Sequence, residues 1–422
     1  MHADSSAGLT DDLFRRESGR LIASLVAQLG THRLQLAEDV VQEAMVKALQ
    51  TWPYRGIPDN PGAWLMQAAK NLALDLLRRE QRWNEKETSI AAESERWLAA
   101  GDSPMPTDDE IADDTLRMLF VCFHPQLSME AQTALALRTV CGMSAAEIGS
   151  SFLTSEAAIS KRLVRARQLI RELALPFTVP GVAELPERLE GVLGAIYLLF
   201  NEGYKASGGT ALVRHDLCHE AMRLAGLLLA HQATRQPRVF ALLALMCLNA
   251  SRLAARTDSE GRLLRLHEQN RAVWDQRLIH QGLQALANAS IGDEVSHYHL
   301  EAGIAACHCL SPDEARTDWQ RILSLYDQLM LVRPSPITAL NRSVAVARLH
   351  GPKEGLAEIS KITDRSTLEA YHLYHAIRGA FAAELGRAAE ALTHFRQAGN
   401  LATTPSEKDF IQRRIREVSE PG

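Results

Sequence analysis

Ser144-Ala145-Ala146-Glu147-Ile148-Gly149-Ser150-Ser151-Phe152-Leu153-Thr154-Ser155-Glu156-Ala157-Ala158-Ile159-Ser160-Lys161-Arg162-Leu163-Val164-Arg165-Ala166-Arg167 decides how the rest of the chain is read. Ser144, with Glu147 three residues on, has the capping-box form of a helix start. A short helix over 145–151 gives way to a turn near Leu153 and Thr154, and Ser155 opens a longer helix. Ile148, Phe152, Ile159 and Leu163 are spaced to close a small core between the two. Ser160, Lys161, Arg162, Arg165 and Arg167 then project outward. A helix-turn-helix needs this division: its second helix enters the major groove while cations neutralise phosphates beside it. An ordinary helical hairpin with a basic, solvated face fits the same pattern, and Leu153 stands where a glycine is commoner.

Upstream, apolar residues recur at helical spacing through Leu21, Leu25, Leu29, Leu36, Val40, Val41, Ala44 and Leu49. Three prolines and two glycines within 52–62 predict a loop. Helix resumes with Trp64, Leu65, Ala68, Leu72 and Leu76 and ends at Arg78 and Arg79. Asp39, Gln42, Glu43 and Lys47 share one helical face, readable as a protein-binding or simply solvated surface. Asn71, Asp75, Arg78 and Arg79 also fall on one face, with Asp75 placed to order Arg79 from i+4. Residues 80–116 hold eleven acidic residues against three basic, with Gly101, Pro104 and Pro106 inside, and read as an interdomain linker. The expected division is 1–80, a linker over 81–114, a second helical unit over 115–175, and 187–422 beyond the breakers Pro176, Pro180, Gly181 and Pro186.

Downstream the pattern is helix upon helix. Leu385-Gly386-Arg387 is a helix-breaking turn, and Ala391, Phe395 and Ala398 follow the spacing of a tetratricopeptide repeat, as do Tyr326 and Pro334. The predicted fold class is all-α: two small helical domains joined by an acidic linker, then a large tetratricopeptide-like domain. His297-Tyr298-His299 and Cys307-His308-Cys309 gather soft ligands, but residues two apart on a helix point away from each other, so no metal is expected. Without a phosphate-binding glycine loop or a nucleophile elbow, neither cofactor nor enzymatic activity is expected.

A hydrophobic content of 46% and a charged content of 23% fit a soluble globular protein. The net charge of −5 argues against non-specific coating of nucleic acid while leaving room for a local basic face. There is no run of eighteen apolar residues, and residues 1–10 are polar, so neither a membrane span nor a secretory signal is expected. Six scattered cysteines are expected to be free thiols in a cytoplasmic protein.

Three blocks carry a more specific resemblance: Asp39-Val40-Val41-Gln42-Glu43-Ala44, Asn60-Pro61-Gly62-Ala63-Trp64-Leu65, and Asn71-Leu72-Ala73-Leu74-Asp75-Leu76-Leu77-Arg78-Arg79. With the helix-turn-helix ending Arg162-Leu163-Val164-Arg165-Ala166-Arg167, they resemble regions two and four of bacterial RNA polymerase sigma factors of the extracytoplasmic-function type. The chain is similar to the subgroup with a fused tetratricopeptide-like domain, including Asn201-Glu202-Gly203-Tyr204-Lys205-Ala206-Ser207 and Pro334-Ser335-Pro336-Ile337-Thr338-Ala339-Leu340-Asn341-Arg342. The resemblance implies promoter-specific initiation, with core RNA polymerase and promoter DNA as partners. Asp39, Gln42, Glu43 and Lys47 would meet the clamp helices of the largest polymerase subunit. Tyr54, Arg55, Asn60, Asn71, Asp75, Arg78 and Arg79 would serve the minus-ten element, Tyr54 stacking on a flipped base. Trp52, Tyr54 and Trp64 can equally be core residues. Ser155, Ala158, Ser160, Lys161, Arg162, Arg165 and Arg167 would read the minus-thirty-five element. The extension would regulate through an intramolecular or protein partner. Two other readings fit the composition: a stand-alone helix-turn-helix regulator with a ligand- or peptide-binding extension, and a helical scaffold.

Overall fold

The computed structural model describes residues 3–83, 108–151, 154–204, 214–363 and 365–420. Among these residues the chain is all helix and loop, apart from one isolated bridge between Thr257 and Leu263. It divides into two compact units, Met1–Phe200 with His219–Leu228, and Asn201–Cys218 with Leu229–Gly422.

The first unit begins with α1 (Ala3–Leu29), α2 (Leu34–Arg55) and α3 (Pro61–Trp83). Leu21, Ile22, Leu25 and Val26 of α1 are buried with Val40, Val41, Ala44 and Ala48 of α2 and Leu65, Ala69 and Ala73 of α3. The loop expected over 52–62 is shorter than its prolines suggested. Helix α2 continues through Pro53 and ends two residues later at Arg55, so the one backbone bond that proline removes lies at the helix end. Trp52 is buried and holds that turn, and Gly56, at φ 82°, donates its N–H to the Trp52 carbonyl at 2.9 Å. Asn60 then caps α3, its Oδ1 accepting from the Ala63 N–H at 2.9 Å, with Pro61 in the first turn.

Helices α4 (Asp108–Cys122), α5 (Met129–Thr139), α6 (Ala145–Ser151) and α7 (Glu156–Leu173) follow. Part of the acidic stretch is therefore helical, since α4 begins at Asp108, and Glu110 stands exposed in its first turn, where the helix dipole favours a carboxylate. These helices share a core with α1. Gly19 approaches Val140 so closely that a Cβ there would lie 2.0 Å from the Val140 carbonyl oxygen. The breakers at 176–186 do separate helices, but they do not end the unit. Helix α8 (Leu185–Tyr204) inserts Arg188, whose guanidinium donates to the Phe120 carbonyl and sits 5.8 Å from the Phe120 ring, and its Gly191 faces Phe123.

The second unit contains α10 (Pro237–Ala250), reached through α9 (His215–Ala230), and then α11 (Gln276–Ala289), α12 (His297–Leu310), α13 (Trp319–Val332), α14 (Pro336–His350) and α15 (Pro352–Ser360). After α16 (Ser366–Glu369), α17 (His372–Glu384), α18 (Ala388–Leu401) and α19 (Pro405–Ser419) complete it. Its hydrophobic clusters pass from neighbour to neighbour: Leu300, Ile322 and Ala345 join α12 to α14, and Leu340, Ile359 and Phe381 join α14 to α17. Ala391, Phe395 and Ala398 are buried, and Gly386 turns at φ 74°. Segment Pro237–Ala255 is apolar enough to cross a bilayer by composition, but 72% of it is buried as core. Cys122, Cys141, Cys218 and Cys247 are buried and Cys307 and Cys309 half-buried, none of the six in a disulfide among the described residues. Three of the His and Cys side chains weighed as metal ligands have partners within the fold. His299 Nδ1 meets the Ser296 backbone N–H at 3.0 Å, His308 packs on Trp319, and Cys309 Sγ donates to the Leu248 carbonyl.

Candidate polymerase and promoter interface

The two helices 145–151 and 155–167 expected to form a helix-turn-helix are α6 and α7. The capping box is present: Glu147 Oε2 accepts from the Ser144 N–H at 2.6 Å, and Ser144 Oγ accepts from the Glu147 N–H at 3.1 Å. Ser155 caps α7, its Oγ accepting from the Ala158 N–H at 3.2 Å. Phe152 and Leu153 lie outside the described residues. The close approach in the turn belongs to Gly149, where a Cβ would meet the Thr154 carbonyl oxygen at 2.9 Å.

Ile159, Leu163, Ala166 and Ile170 form the buried stripe of α7. Ser160, Lys161 and Arg165 are exposed on its other side, with Ala158 and Arg162 half-exposed. Ala158, Lys161, Arg162 and Arg165 line a cleft of about 480 Å³ shared with Ser128 and Glu130 at the start of α5. Glu130 keeps its carboxyl below the usual range because its own backbone N–H and the Ser128 side chain bond it, with Arg162 adding attraction. The cleft therefore sets three cations around the Glu130 carboxylate at a helix N-terminus, a surface of net positive charge.

Arg167 departs from expectation. It does not project outward with the other cations: its Nε lies 2.6 Å from Glu38 Oε2, with side-chain exposures of 13% and 5%. The contact is ionic rather than a well-aligned hydrogen bond. The other Glu38 oxygen accepts from Thr139 Oγ1 at 2.9 Å.

On α2, Asp39, Gln42, Glu43 and Lys47 are all exposed, on the opposite side from buried Val40, Val41 and Ala44. Val46 and Leu49 are exposed beside them, and sequence reading passed over both. Two aliphatic residues off the buried stripe were the available signal, since an exposed amphipathic patch is what an interface presents.

Tyr54 is 89% exposed, and Arg55 and Ile57 are exposed with it, so the end of α2 offers an aromatic side chain to solvent and the loop after it an aliphatic one. Trp52 is 6% exposed, its ring centroid 5.6 Å from those of both Phe14 and Trp64, which settles both tryptophans as packing residues. Asn60 is engaged as the α3 cap. Asn71, Asp75, Arg78 and Arg79 are exposed along α3, and Asp75 pairs with Arg78 at 3.8 Å rather than with Arg79. Gln67 donates to Asn71 Oδ1 at 3.1 Å.

Residues 14–83 match the sigma-70 region 2 family, and residues 188–290 match a family of unknown function (DUF6596). The chain is 39% identical to uncharacterized protein R00370 of Rhizobium meliloti over 90% of both chains. It is 30% identical to the probable RNA polymerase sigma factor RfaY of Xanthomonas campestris over 36% of this chain and 39% of that one. With the ECF RNA polymerase sigma-E factor of Haemophilus influenzae it shares 27% identity over 33% of this chain and 74% of that one. No solved structure matches it. The extension is thus placed by the family of unknown function and not specifically by tetratricopeptide repeats. With a region-two match over α1–α3, a capped helix-turn-helix behind it and sigma factors among its relatives, the chain belongs to the extracytoplasmic-function sigma factors of the sigma-70 family.

Proposed function

We propose that this sigma factor, which directs promoter-specific initiation by RNA polymerase, divides its work among three surfaces. The α2 face of Asp39, Gln42, Glu43 and Lys47, flanked by Val46 and Leu49, docks on the clamp helices of the largest polymerase subunit. Tyr54, Arg55 and the α3 face of Asn71, Arg78 and Arg79 engage the minus-ten strand, Tyr54 stacking on a base. The α7 face of Ser160, Lys161, Arg162 and Arg165 reads the minus-thirty-five element. No cofactor or covalent step enters this scheme. The observation that carries it is the exposure pattern of α2, which presents charged and aliphatic side chains together on one open face. In a co-purification assay, Asp39→Lys with Glu43→Lys is expected to weaken association with core polymerase about tenfold, mostly through slower association, at unchanged Tm. Undiminished co-purification would remove α2 from the interface.

Residues 187–422 are assigned a regulatory role in the same scheme. Because α8 packs on Phe120 and Phe123, a chain ending at Ala230 keeps every residue of the first unit. Transcription by that chain with purified core is expected to differ from the full-length level. Equal transcription, with purified core and in cells, would make the extension a platform for an unrelated partner.

A further inference from the structure

In the second unit the loop that follows α10 meets the final helix. Arg413 Nη2 of α19 donates to the Leu263 carbonyl at 2.5 Å, across 150 positions of chain. A helical stack open at both ends would offer an extended groove. The return of α19 to this loop instead bounds a cavity of about 400 Å³. That lies within the range of about 300–1,000 Å³ typical of small-molecule sites.

The interior of the cavity is apolar and aromatic. Ile322, Ala345 and Phe395 are almost fully buried at its floor, and Trp319, Tyr326 and Phe410 are half-buried around them. Two titratable groups in these walls are neutral at neutral pH. Burial pushes the Tyr326 hydroxyl up to about 12, and burial, with the nearby Arg252 and Arg271, lowers His308 to about 4. Walls of this kind accept an apolar body.

The charged groups are more exposed, toward the mouth, and they are not evenly matched. Glu314 and Glu384 are already held by cations of the cavity itself. Arg348 lies 3.2 Å from Glu314 and 3.8 Å from Glu384, and His267 Nδ1 lies 3.5 Å from Glu314. Arg265 and Arg414 instead have their carboxylates outside the lining, Glu268 at 2.5 Å and Glu417. Toward the cavity these two arginines face each other. After burial, the charge of Arg265 is the strongest influence holding the Arg414 guanidinium below its ordinary value. Arg414 also lies 5.5 Å from the Phe395 ring, which sets its charge at the edge of the apolar floor. An anion relieves two like charges that share one space, and a cation does not.

We propose that this cavity binds a small amphipathic carboxylic acid, its carboxylate between Arg265 and Arg414 and its apolar body against Trp319, Phe395 and Phe410. The volume holds one compact molecule rather than an extended peptide. The site lies wholly within the second unit, so it stands apart from the sigma-factor reading of the first.

The test is calorimetric titration of the full chain with naphthylacetate, phenylbutyrate and decanoate, each beside its uncharged amide. At least one acid should bind saturably, one molecule per chain, and about tenfold more tightly than its amide. Arg265→Gln and Arg414→Gln should each remove that preference, weakening the acid about tenfold and leaving the amide within about twofold. Arg387→Gln, at an exposed arginine of the same unit outside the cavity, should change neither. Ala380→Phe, which places a ring in the cavity, should abolish binding of acid and amide alike while the helical circular dichroism is unchanged. The site is overturned if no acid binds, if acids bind no more tightly than amides, or if the two arginine variants weaken acid and amide equally. A peptide ending in phenylalanine with a free carboxylate that binds more tightly than every free acid would overturn the small-molecule assignment and give the same chemistry to a protein chain end.

Discussion

Helices α2 and α7 are built alike, each with one buried stripe and one open face, but they expose charge of opposite sign. The open face of α2 carries Asp39 and Glu43; that of α7 carries Lys161 and Arg165. Each also turns one charged residue inward, Glu38 and Arg167, and these two meet. Glu38 and Asp39 are sequence neighbours with different fates because each helical residue turns about 100° from the last. Arg165 and Arg167 differ for the same reason. In the proposed scheme the two charge types go with two classes of partner, protein for the α2 face and nucleic acid for the α7 face. Only the helical angle decides which member of a charged run faces that partner and which is spent on the protein's own seam.

The sharpest break in this comparison comes from the aromatic residues at the end of α2. Trp52→Ala should destabilise the protein by about 3–5 kcal/mol, since it empties the space between Phe14 and Trp64. Tyr54→Ala, two residues on, should leave stability within about 0.5 kcal/mol, because its ring is in solvent. It should instead cost about 1–3 kcal/mol in affinity of the holoenzyme for a single-stranded minus-ten template. Denaturant unfolding and template binding separate the two residues, and a stability loss at Tyr54 equal to that at Trp52 would erase the distinction.

On α7, Arg162→Ala and Arg165→Ala should each weaken promoter binding by about 1–3 kcal/mol per base that the arginine reads. A defect confined to promoters that retain a minus-thirty-five element indicates base reading. A uniform defect with a shallower salt dependence indicates phosphate contact. The smallest effect concerns Asp114 of α4. Burial pushes its carboxyl up to about 6, against the pull of Arg117 at 2.9 Å. The folded chain then holds that proton more tightly than the unfolded one, whose carboxyl titrates near 3.8, so this group's contribution to stability is lost as pH rises from about 4 to about 6. Asp114→Asn should flatten the Tm profile in that window by a few °C or less.

What the sequence disclosed follows from how local each signal is. The capping box at Ser144 and Glu147 and the cap at Ser155 involve partners three residues apart, and both stand as read. The exposed face of α2 was likewise legible from helical spacing alone. Arg167 was misread because its partner is 129 positions away in the chain, at a residue indistinguishable in kind from its exposed neighbour Asp39. Pro53 was taken for a helix breaker because sequence cannot show that Trp52 is buried and anchors the turn. Asp75 chose Arg78 over Arg79, a choice between i+3 and i+4 that spacing leaves open.

Arg188 and Gly191 carry a further consequence. The match to the family of unknown function begins at residue 188, inside a helix whose first half is packed on Phe120 and Phe123. The extension is therefore not a detachable cassette. Grafting it onto another sigma factor would transplant half of a joint: the recipient must supply a carbonyl and a ring where Phe120 stands, and a flat surface for Gly191 where Phe123 stands. Inheritance meets the same constraint as engineering. Lineages that keep the extension must keep both sides of this junction in step, so substitutions at 120 and 123 should be tied to those at 188 and 191.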